Sequence, residues 1–372
     1  MINCSSGLIH FVDRDNNLSW SFDRRGFFRS AVAPGVKYKR GWSGVVQEIK
    51  LRSAGGFSPK DARPLRLSQT EKKLNHFHVE VENFCRDFGE METWQSYIGE
   101  YDSKKYYRNK QRFRQIWGSV PILPPDQYRA LVFNLTEGCS YNNCNFCDFY
   151  RGIEFDYKDK NQFADHLRAA VDFFSGVHDF FTEIFLGSGD ALSAPPDVLR
   201  RSLEMIGAVS VLAEKPVHAF APGFIASLYG PEELNNLVER GLQRIYFGLE
   251  SGSDAVLKKL NKPFTVDQLA AGIRLSREAG AHFGIIILIG AGGKKYSASH
   301  VEETIEFLNK LDFARGDRLF LSPLGEGKIG WAPGSTEQPM SDQEKIIQGQ
   351  QIRAGLKDSV PVARYEVENF LY

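Results

Sequence analysis

From residue 129 onward, short apolar runs alternate with segments of helical periodicity, and this alternation limits the possible folds more than any other feature. Strand-length runs fall at Ala130–Thr136, Glu183–Gly187, Val217–Phe220, Arg244–Leu249, Phe283–Ile289 and Leu319–Ser322. Between them, Phe163, Leu167, Val171 and Phe174 recur at helical spacing, as do Leu199, Leu203 and Ile206. Leu234, Leu237 and Val238 lead to a stop at Gly241. Thr265-x-x-Gln268 reads as a capping box before Leu269 and Ile273, with a stop near Gly280. Val301, Ile305 and Leu308 mark a further helix. Six strands with intervening helices predict parallel βα units. Handedness then favours a wound sheet or a partial barrel, with chemistry in the loops at the carboxyl ends of the strands.

The flanks are less regular. Residues 1–128 scatter Gly, Pro, Ser and Arg, as in Val32-Ala-Pro-Gly-Val and Ala54-Gly-Gly-Phe-Ser-Pro. Short strands are expected there, for example over Val45–Leu51, and residues 69–99 read as partly helical. Val120-Pro-Ile-Leu-Pro-Pro-Asp126 predicts an extended linker, because proline removes donors and biases its neighbours away from helix. The tail, 331–372, predicts a helix over Asp342–Leu356 and a strand over Arg364–Tyr372. The division expected is an accessory region over 1–128, a core over 129–330 and an extension over 331–372.

Composition narrows the class. With 42% hydrophobic and 25% charged residues, the 372-residue chain is neither disordered nor collagen-like, and five cysteines are too few for a disulfide scaffold. The longest apolar run, Phe283–Gly293, is too short to cross a bilayer. The first residues show no basic segment followed by a long apolar stretch, so a cytoplasmic, reducing setting is expected, with no membrane partner. There cysteines serve more often as ligands or catalysts than as bridges. Formal net charge is zero, but residues 1–130 hold 22 Lys+Arg against 14 Asp+Glu, and the remainder 24 against 32. Such asymmetry fits either an anionic partner on the N-terminal side or two halves that dock on each other.

Three of the five cysteines fall within nine residues, in Gly138-Cys139-Ser-Tyr-Asn-Asn-Cys144-Asn-Phe-Cys147, directly after the first apolar run. Three thiolates on one short loop can wrap a metal centre and leave one coordination position for another ligand. Two metals compete. Structural zinc takes four protein ligands and catalytic zinc usually includes histidine, yet the nearest histidines are His78 and His166. An iron–sulfur cubane accepts cysteine thiolates readily, and a site-differentiated one needs only three.

At this point the sequence resembles the radical SAM superfamily, whose usual C-x3-C-x2-C spacing appears here as C-x4-C-x2-C, with Phe146 as the aromatic before the last cysteine. Leu186-Gly187-Ser188-Gly189-Asp190 resembles the glycine-rich stretch that meets the amino group of S-adenosylmethionine, and Asp190 is placed to attract its ammonium. Gly248-Leu-Glu250-Ser251, followed by Lys262, is similar to the fourth-strand motif of coproporphyrinogen dehydrogenases and methylthiotransferases. There an acid at the strand end contacts the ligand's sugar or methionyl part, and a basic residue twelve positions later holds its carboxylate. Relatives usually carry arginine at the position of Lys262, so lysine implies a point-charge contact instead of a fork. Segments around Gly290 and around Pro323-Leu324 resemble those that line the adenine. The third strand ends Ala219-Phe-Ala-Pro-Gly223, without the polar residue that often meets the ribose.

The resemblance covers roughly residues 129–330 and implies an α/β partial TIM barrel, a (β/α)6 radical SAM core with N-terminal and C-terminal extensions. It implies a [4Fe-4S] cluster on Cys139, Cys144 and Cys147 that cleaves S-adenosyl-L-methionine to a 5′-deoxyadenosyl radical. That radical takes hydrogen from a small organic substrate, and flavodoxin or ferredoxin is implied as electron donor. The cofactors carry the hard chemistry; the protein supplies position and exclusion of water. Methylthiotransfer is disfavoured, because only Cys4 and Cys85 remain for a second three-cysteine site, and cobalamin-dependent methyl transfer is disfavoured because no cobalamin-binding Asp-x-His-x-x-Gly pattern occurs.

Other features have plainer readings. Cys4 and Cys85 read as ordinary thiols, and His218, His282 and His300 as packing or surface histidines. Tyr150 and Arg151 either face the substrate or anchor the cysteine loop. Lys104–Trp117 mixes basic and aromatic residues, as single-stranded nucleic-acid sites do, but reads better as a solvated helix with its aromatic face laid on the barrel. A tRNA- or RNA-modifying enzyme and a non-enzymatic zinc- or RNA-binding module are the competing functions.

Overall fold

A computed structural model of the protein describes residues 1–51, 62–325, 330, 338–365 and 370–372. The segment Ala54–Pro59 singled out above lies outside the described residues. The chain divides into two compact units, one of Met1–Val120, Arg168–Thr182 and the C-terminal end, the other of Pro121–Leu167 and the chain from Glu183.

The first unit is built on a seven-stranded antiparallel meander: β1 (Ile2–Ser5), β2 (Leu8–Asp13), β3 (Leu18–Asp23), β4 (Phe28–Ala33), β5 (Val36–Arg40), β6 (Val46–Lys50) and β7 (Ala62–Pro64), each paired with the next. Period-two burial makes these strands. In β2, Ile9 and Phe11 are buried while His10 and Val12 are only partly so. Two-residue turns set the register. Ser6 and Gly7, at φ 48° and 74°, join Ser5 to its partner Leu8. Pro34-Gly35 joins Ala33 to Val36, with Gly35 at φ 77°. Helix α1 (Leu67–Asp87) buries Leu74, Phe77, Val81 and Phe84 on one face. Phe77 stacks on Phe28 at 4.6 Å, and Phe84 meets Phe11 and Trp20. After α2 (Met91–Thr93), helix α3 (Ser103–Trp117) starts at Asp102, whose carboxylate accepts from Lys104 N at 2.8 Å. Its aromatic face, Tyr106, Phe113 and Trp117, is buried against Phe27, Phe173 and Phe174. The basic side chains Lys104, Arg108, Lys110, Arg112 and Arg114 face solvent.

The second unit holds the βα alternation. Strand β8 (Ala130–Asn134) leads into β9 (Thr136–Glu137), which pairs antiparallel with β10 (Asp156–Tyr157) across the cysteine loop. Then follow α4 (Lys160–Phe173), β11 (Glu183–Gly187), α5 (Pro196–Gly207), β12 (Val217–Ala221), α6 (Pro231–Glu239), β13 (Leu242–Glu250), α7 (Asp254–Lys259), α8 (Val266–Glu278), β14 (His282–Ile289), α9 (Ser297–Lys310), β15 (Arg318–Pro323), α10 (Asp342–Gly355) and β16 (Val362–Arg364). The sheet order is β16-β15-β14-β13-β12-β11-β8, every neighbouring pair parallel. This is the α/β partial-barrel arrangement, six βα strands in sequence order with one strand added at the β15 edge. Central residues such as Ile245, Phe247, Ile285 and Ile287 are fully buried, because helices cover a parallel sheet. The Thr265 cap forms as its sequence predicts: Gln268 N donates to Thr265 Oγ1 at 3.3 Å, and Thr265 N to Gln268 Oε1 at 2.8 Å.

The C-terminal strand differs from its expectation. It occupies Val362–Arg364 and ends where the strand was expected to begin; Tyr365 and 370–372 carry no regular structure, and 366–369 lie outside the described residues. Proline at 361 starts the pairing with β15 earlier: Val362 faces Leu319 and Arg364 faces Leu321.

Candidate active site

The cysteine loop leaves the carboxyl end of β8, and the sequence builds it from local tethers. The extra residue of the C-x4-C spacing is taken up at Asn142, which sits in the left-handed region at φ 50°. Its Nδ2 donates to Tyr150 O at 2.6 Å and to Ile153 O at 3.1 Å. The turn after α7 holds the loop from the other side: Asn261 Nδ2 donates to Asn143 O at 2.7 Å, and Asn145 N to Leu260 O at 3.0 Å. Cys139, Cys144 and Cys147 all line one cavity. Burial pushes the Cys139 thiol up to about 12 and Cys147 up to about 11, and raises Cys144 as well. Unligated, these thiols are neutral; a bound metal centre is what favours their thiolates.

The segment after β11 approaches this loop closely. Gly189, at φ 72°, has no room for a Cβ, which would land on the Gly138 carbonyl oxygen. Gly189 N donates to Tyr150 Oη at 2.7 Å, and Ser188 Oγ to the same oxygen at 3.2 Å. Tyr150 therefore anchors the loop while its side chain lines the cavity. Arg151 pairs with Asp148 at the exposed surface. Asp190 lines the cavity, yet its carboxylate is engaged: Oδ1 accepts from Ser140 N at 2.9 Å, and Oδ2 accepts from Ser140 Oγ and from Ser193 Oγ at 2.7 Å. It fixes the residue beside Cys139. Gly187 and Ser188 do not line the cavity; Gly187 O accepts from Leu135 N and Ser188 N donates to Thr136 O.

The end of β13 aims an ion pair inward. A register irregularity between Gly248 and Glu250 bulges the strand, and Glu250 takes φ 66°. A non-glycine residue held there is strained, a condition that clusters at functional sites. A Cβ at Gly248 would meet Glu250 Oε1, so a side chain there would push the end of that carboxylate aside. Lys262 Nζ lies 3.2 Å from that oxygen and above the rings of Phe264 (4.9 Å) and Phe146 (5.7 Å). Burial raises the Glu250 carboxyl even with Lys262 beside it.

The remaining predicted residues lie off the cavity. Ser251 points away from it: its hydroxyl meets His300 Nδ1 at 2.8 Å and accepts from Ser253 N. Gly290 N donates to Gln348 Oε1 on α10, Pro323 pairs with Ile289, and Leu324 packs with Phe146, Leu260 and Leu288. Conversely, the cavity includes residues the motifs did not mark. Ile122 comes from the proline-rich linker, Phe220 to Phe224 from the end of β12, and Ile286, Ser322 and Tyr365 from later strands and the tail. For Phe220 to Phe224 and Ser322 the only sequence signal was position at a strand end; Ile122 and Ile286 had none. The wall they form is apolar, consistent with the missing polar residue on the third strand.

The model of the Radical SAM superfamily matches residues 133–308. Among curated proteins, the chain is 23% identical over 248 residues to the heme chaperone HemW of Bacillus subtilis, a match covering 61% of this chain and 60% of that protein. It is 24% identical over 206 residues to an uncharacterised methyltransferase of Pyrococcus horikoshii, covering 52% of this chain and 41% of that one. The chain thus spans less than two thirds of either relative. Among solved structures, a radical SAM methyltransferase from Sphaerobacter thermophilus is 15% identical, with a TM-score of 0.46 over 64% of this chain and 65% of that one. The match over residues 133–308 identifies a radical SAM domain within the chain.

Proposed function

We propose that the protein is a radical S-adenosylmethionine enzyme whose Cys139, Cys144 and Cys147 hold a [4Fe-4S] cluster. It acts on a small organic substrate in the cytoplasm, with flavodoxin or ferredoxin as electron donor. The observation that carries this reading is that the three thiols share one cavity with Asp190 and the Glu250–Lys262 pair, each from the carboxyl end of a parallel strand or the turn beyond it. The donor set suits the cluster. Among the described residues no three His, Cys, Asp or Glu side chains gather around one point as the donors of a single ion would. A cubane instead takes separate thiolates on separate irons. On this reading 129–330 is the catalytic core, 1–128 an accessory region and 331–372 an extension.

A [4Fe-4S] cluster held by Cys139, Cys144 and Cys147 would supply one-electron reduction to S-adenosylmethionine bound in the same cavity. The chain's own residues do the rest. Asp190 and Tyr150 hold the cysteine loop against the Gly189 backbone. Lys262 offers a buried cation to the cofactor's carboxylate, and Glu250 orients that cation. The apolar wall of Phe220, Phe224, Phe264, Ile286 and Leu288 keeps water from the reacting atoms.

The test is anaerobic purification followed by iron, sulfide and zinc analysis, and by electron paramagnetic resonance of the reduced protein with and without S-adenosylmethionine. About four irons per chain and a spectrum altered by the cofactor support the reading; stoichiometric zinc in a colourless protein replaces it with a zinc- or RNA-binding module. Because one relative is named a heme chaperone, heme binding without cofactor turnover is the outcome that favours a carrier.

A further inference from the structure

The N-terminal unit gathers one buried and three part-buried cations around two buried aromatic rings. The Arg29 guanidinium lies 3.4 Å from the centre of the Trp42 ring, and Arg25 lies 5.6 Å from the same ring. Phe27 is ringed by Arg25 at 5.3 Å, Arg40 at 5.2 Å and Lys105 at 5.0 Å. Among the described residues of this unit one buried carboxylate, Asp23, stands against these four cations, and it is already occupied. Oδ2 accepts from Arg25 Nη2 at 2.8 Å, while Oδ1 accepts from the backbone N–H groups of Arg25 and Phe27.

The donors left over are specific. Arg29 Nη1 and Arg25 Nε are buried with no hydrogen-bond partner. Arg40 has Nη2 on the Asn109 side-chain oxygen at 2.8 Å and no carboxylate among the described residues. Buried donors are nearly always satisfied, and buried charges are nearly always paired. Stacking uses the face of a guanidinium and leaves its in-plane fork free, the geometry that grips carboxylate and phosphate oxygens. Burial and the neighbouring Arg40 charge lower Arg29 to about 9, a strain that a bound anion would relieve. The excess of 22 basic over 14 acidic residues in 1–130 has the same sign.

We propose that Arg25, Arg29, Arg40 and Lys105 form an oxyanion-binding site in the antiparallel-sheet unit, taking the phosphate group of a small molecule. Four cations surrounding two buried rings suit a compact group. An extended nucleic-acid backbone would instead use the solvated basic face of α3. The site is built from the first unit alone and does not depend on the reading of the cysteine cavity.

The test titrates the full chain, purified anaerobically in phosphate-free buffer, with inorganic phosphate at ionic strength held constant with chloride. Thermal unfolding and calorimetry report binding. A saturable rise in Tm is expected for the wild type, with affinity reduced at least about tenfold in Arg29→Met and partly kept in Arg29→Lys. Arg40→Met gives the same loss and serves if Arg29→Met does not fold. The proposal is overturned if phosphate gives no saturable response, if both methionine variants respond like the wild type, or if only single-stranded RNA binds.

Discussion

Lys262 Nζ and Glu250 Oε1 stand 3.2 Å apart, and each side chain is only 10% exposed. Removing one partner of such a pair leaves the other buried and uncompensated. Lys262→Met is expected to weaken S-adenosylmethionine binding by about tenfold or more, about 1.4 kcal/mol, with iron content unchanged. Calorimetry on the reconstituted protein checks this, and unaltered affinity removes Lys262 from the site. Glu250→Gln keeps the shape but frees the ammonium, so its effect on affinity is expected to be smaller.

The cysteine loop makes a sharper case. Cys144→Ala removes one of three thiols on the cavity wall and is expected to abolish cluster assembly. Iron and sulfide assays after anaerobic reconstitution read the result directly. Iron equal to the wild type would show that this thiol is not a ligand.

Gly189 supports the loop through backbone alone. Gly189→Ala places a methyl group against the Gly138 carbonyl oxygen at a φ of 72°. Strain and overpacking together are expected to cost about 2–4 kcal/mol, with partial loss of iron because the displaced segment carries Cys139. Alanine at Gly207, a helical position with nothing within 4 Å, is the control and should leave both readouts unchanged.

Two buried histidines give the protein an acid limit. Burial lowers both His78 and His300 to about 4. The unfolded chain binds these protons near pH 6.5 and the native chain only near 4, so stability rises with pH across that window. The contribution is complete above about 6.5 and is lost as pH falls to about 4, on the order of 2–3 kcal/mol per histidine. Denaturant unfolding of the cluster-free protein between pH 4 and 7 should show this slope, and His300→Gln should reduce it.

Much of the parallel unit was legible because its strands are buried on both faces. Runs such as Phe283–Ile289 therefore read as continuous apolar segments bounded by glycine, and β14 begins one residue earlier, at His282. The antiparallel meander was written in a weaker code. In Leu8-Ile-His-Phe-Val-Asp the buried Ile9 and Phe11 alternate with partly buried neighbours, so the apolar density is halved. The turns Ser6-Gly7 and Pro34-Gly35 carried the register, but scattered glycines and prolines elsewhere hid them. At the site, Glu250 and Lys262 were marked by the resemblance to the fourth-strand motif, an acid at the strand end and a base twelve residues later. The orientation of Ser251 was not readable, since one residue further along the backbone the side chain turns toward His300. Tyr150 was readable from its place directly after the cysteine loop, whereas Tyr365 reaches the cavity from a distant segment that no local pattern encodes.

The central claim is that this cavity holds a reducible cluster next to S-adenosylmethionine. It is tested most directly by incubating the reconstituted protein anaerobically with dithionite and S-adenosylmethionine, then measuring 5′-deoxyadenosine. The account predicts that it forms with the wild type and is absent with Cys144→Ala. A wild-type protein that carries four irons and forms none, or a Cys144→Ala variant that forms as much, would contradict it.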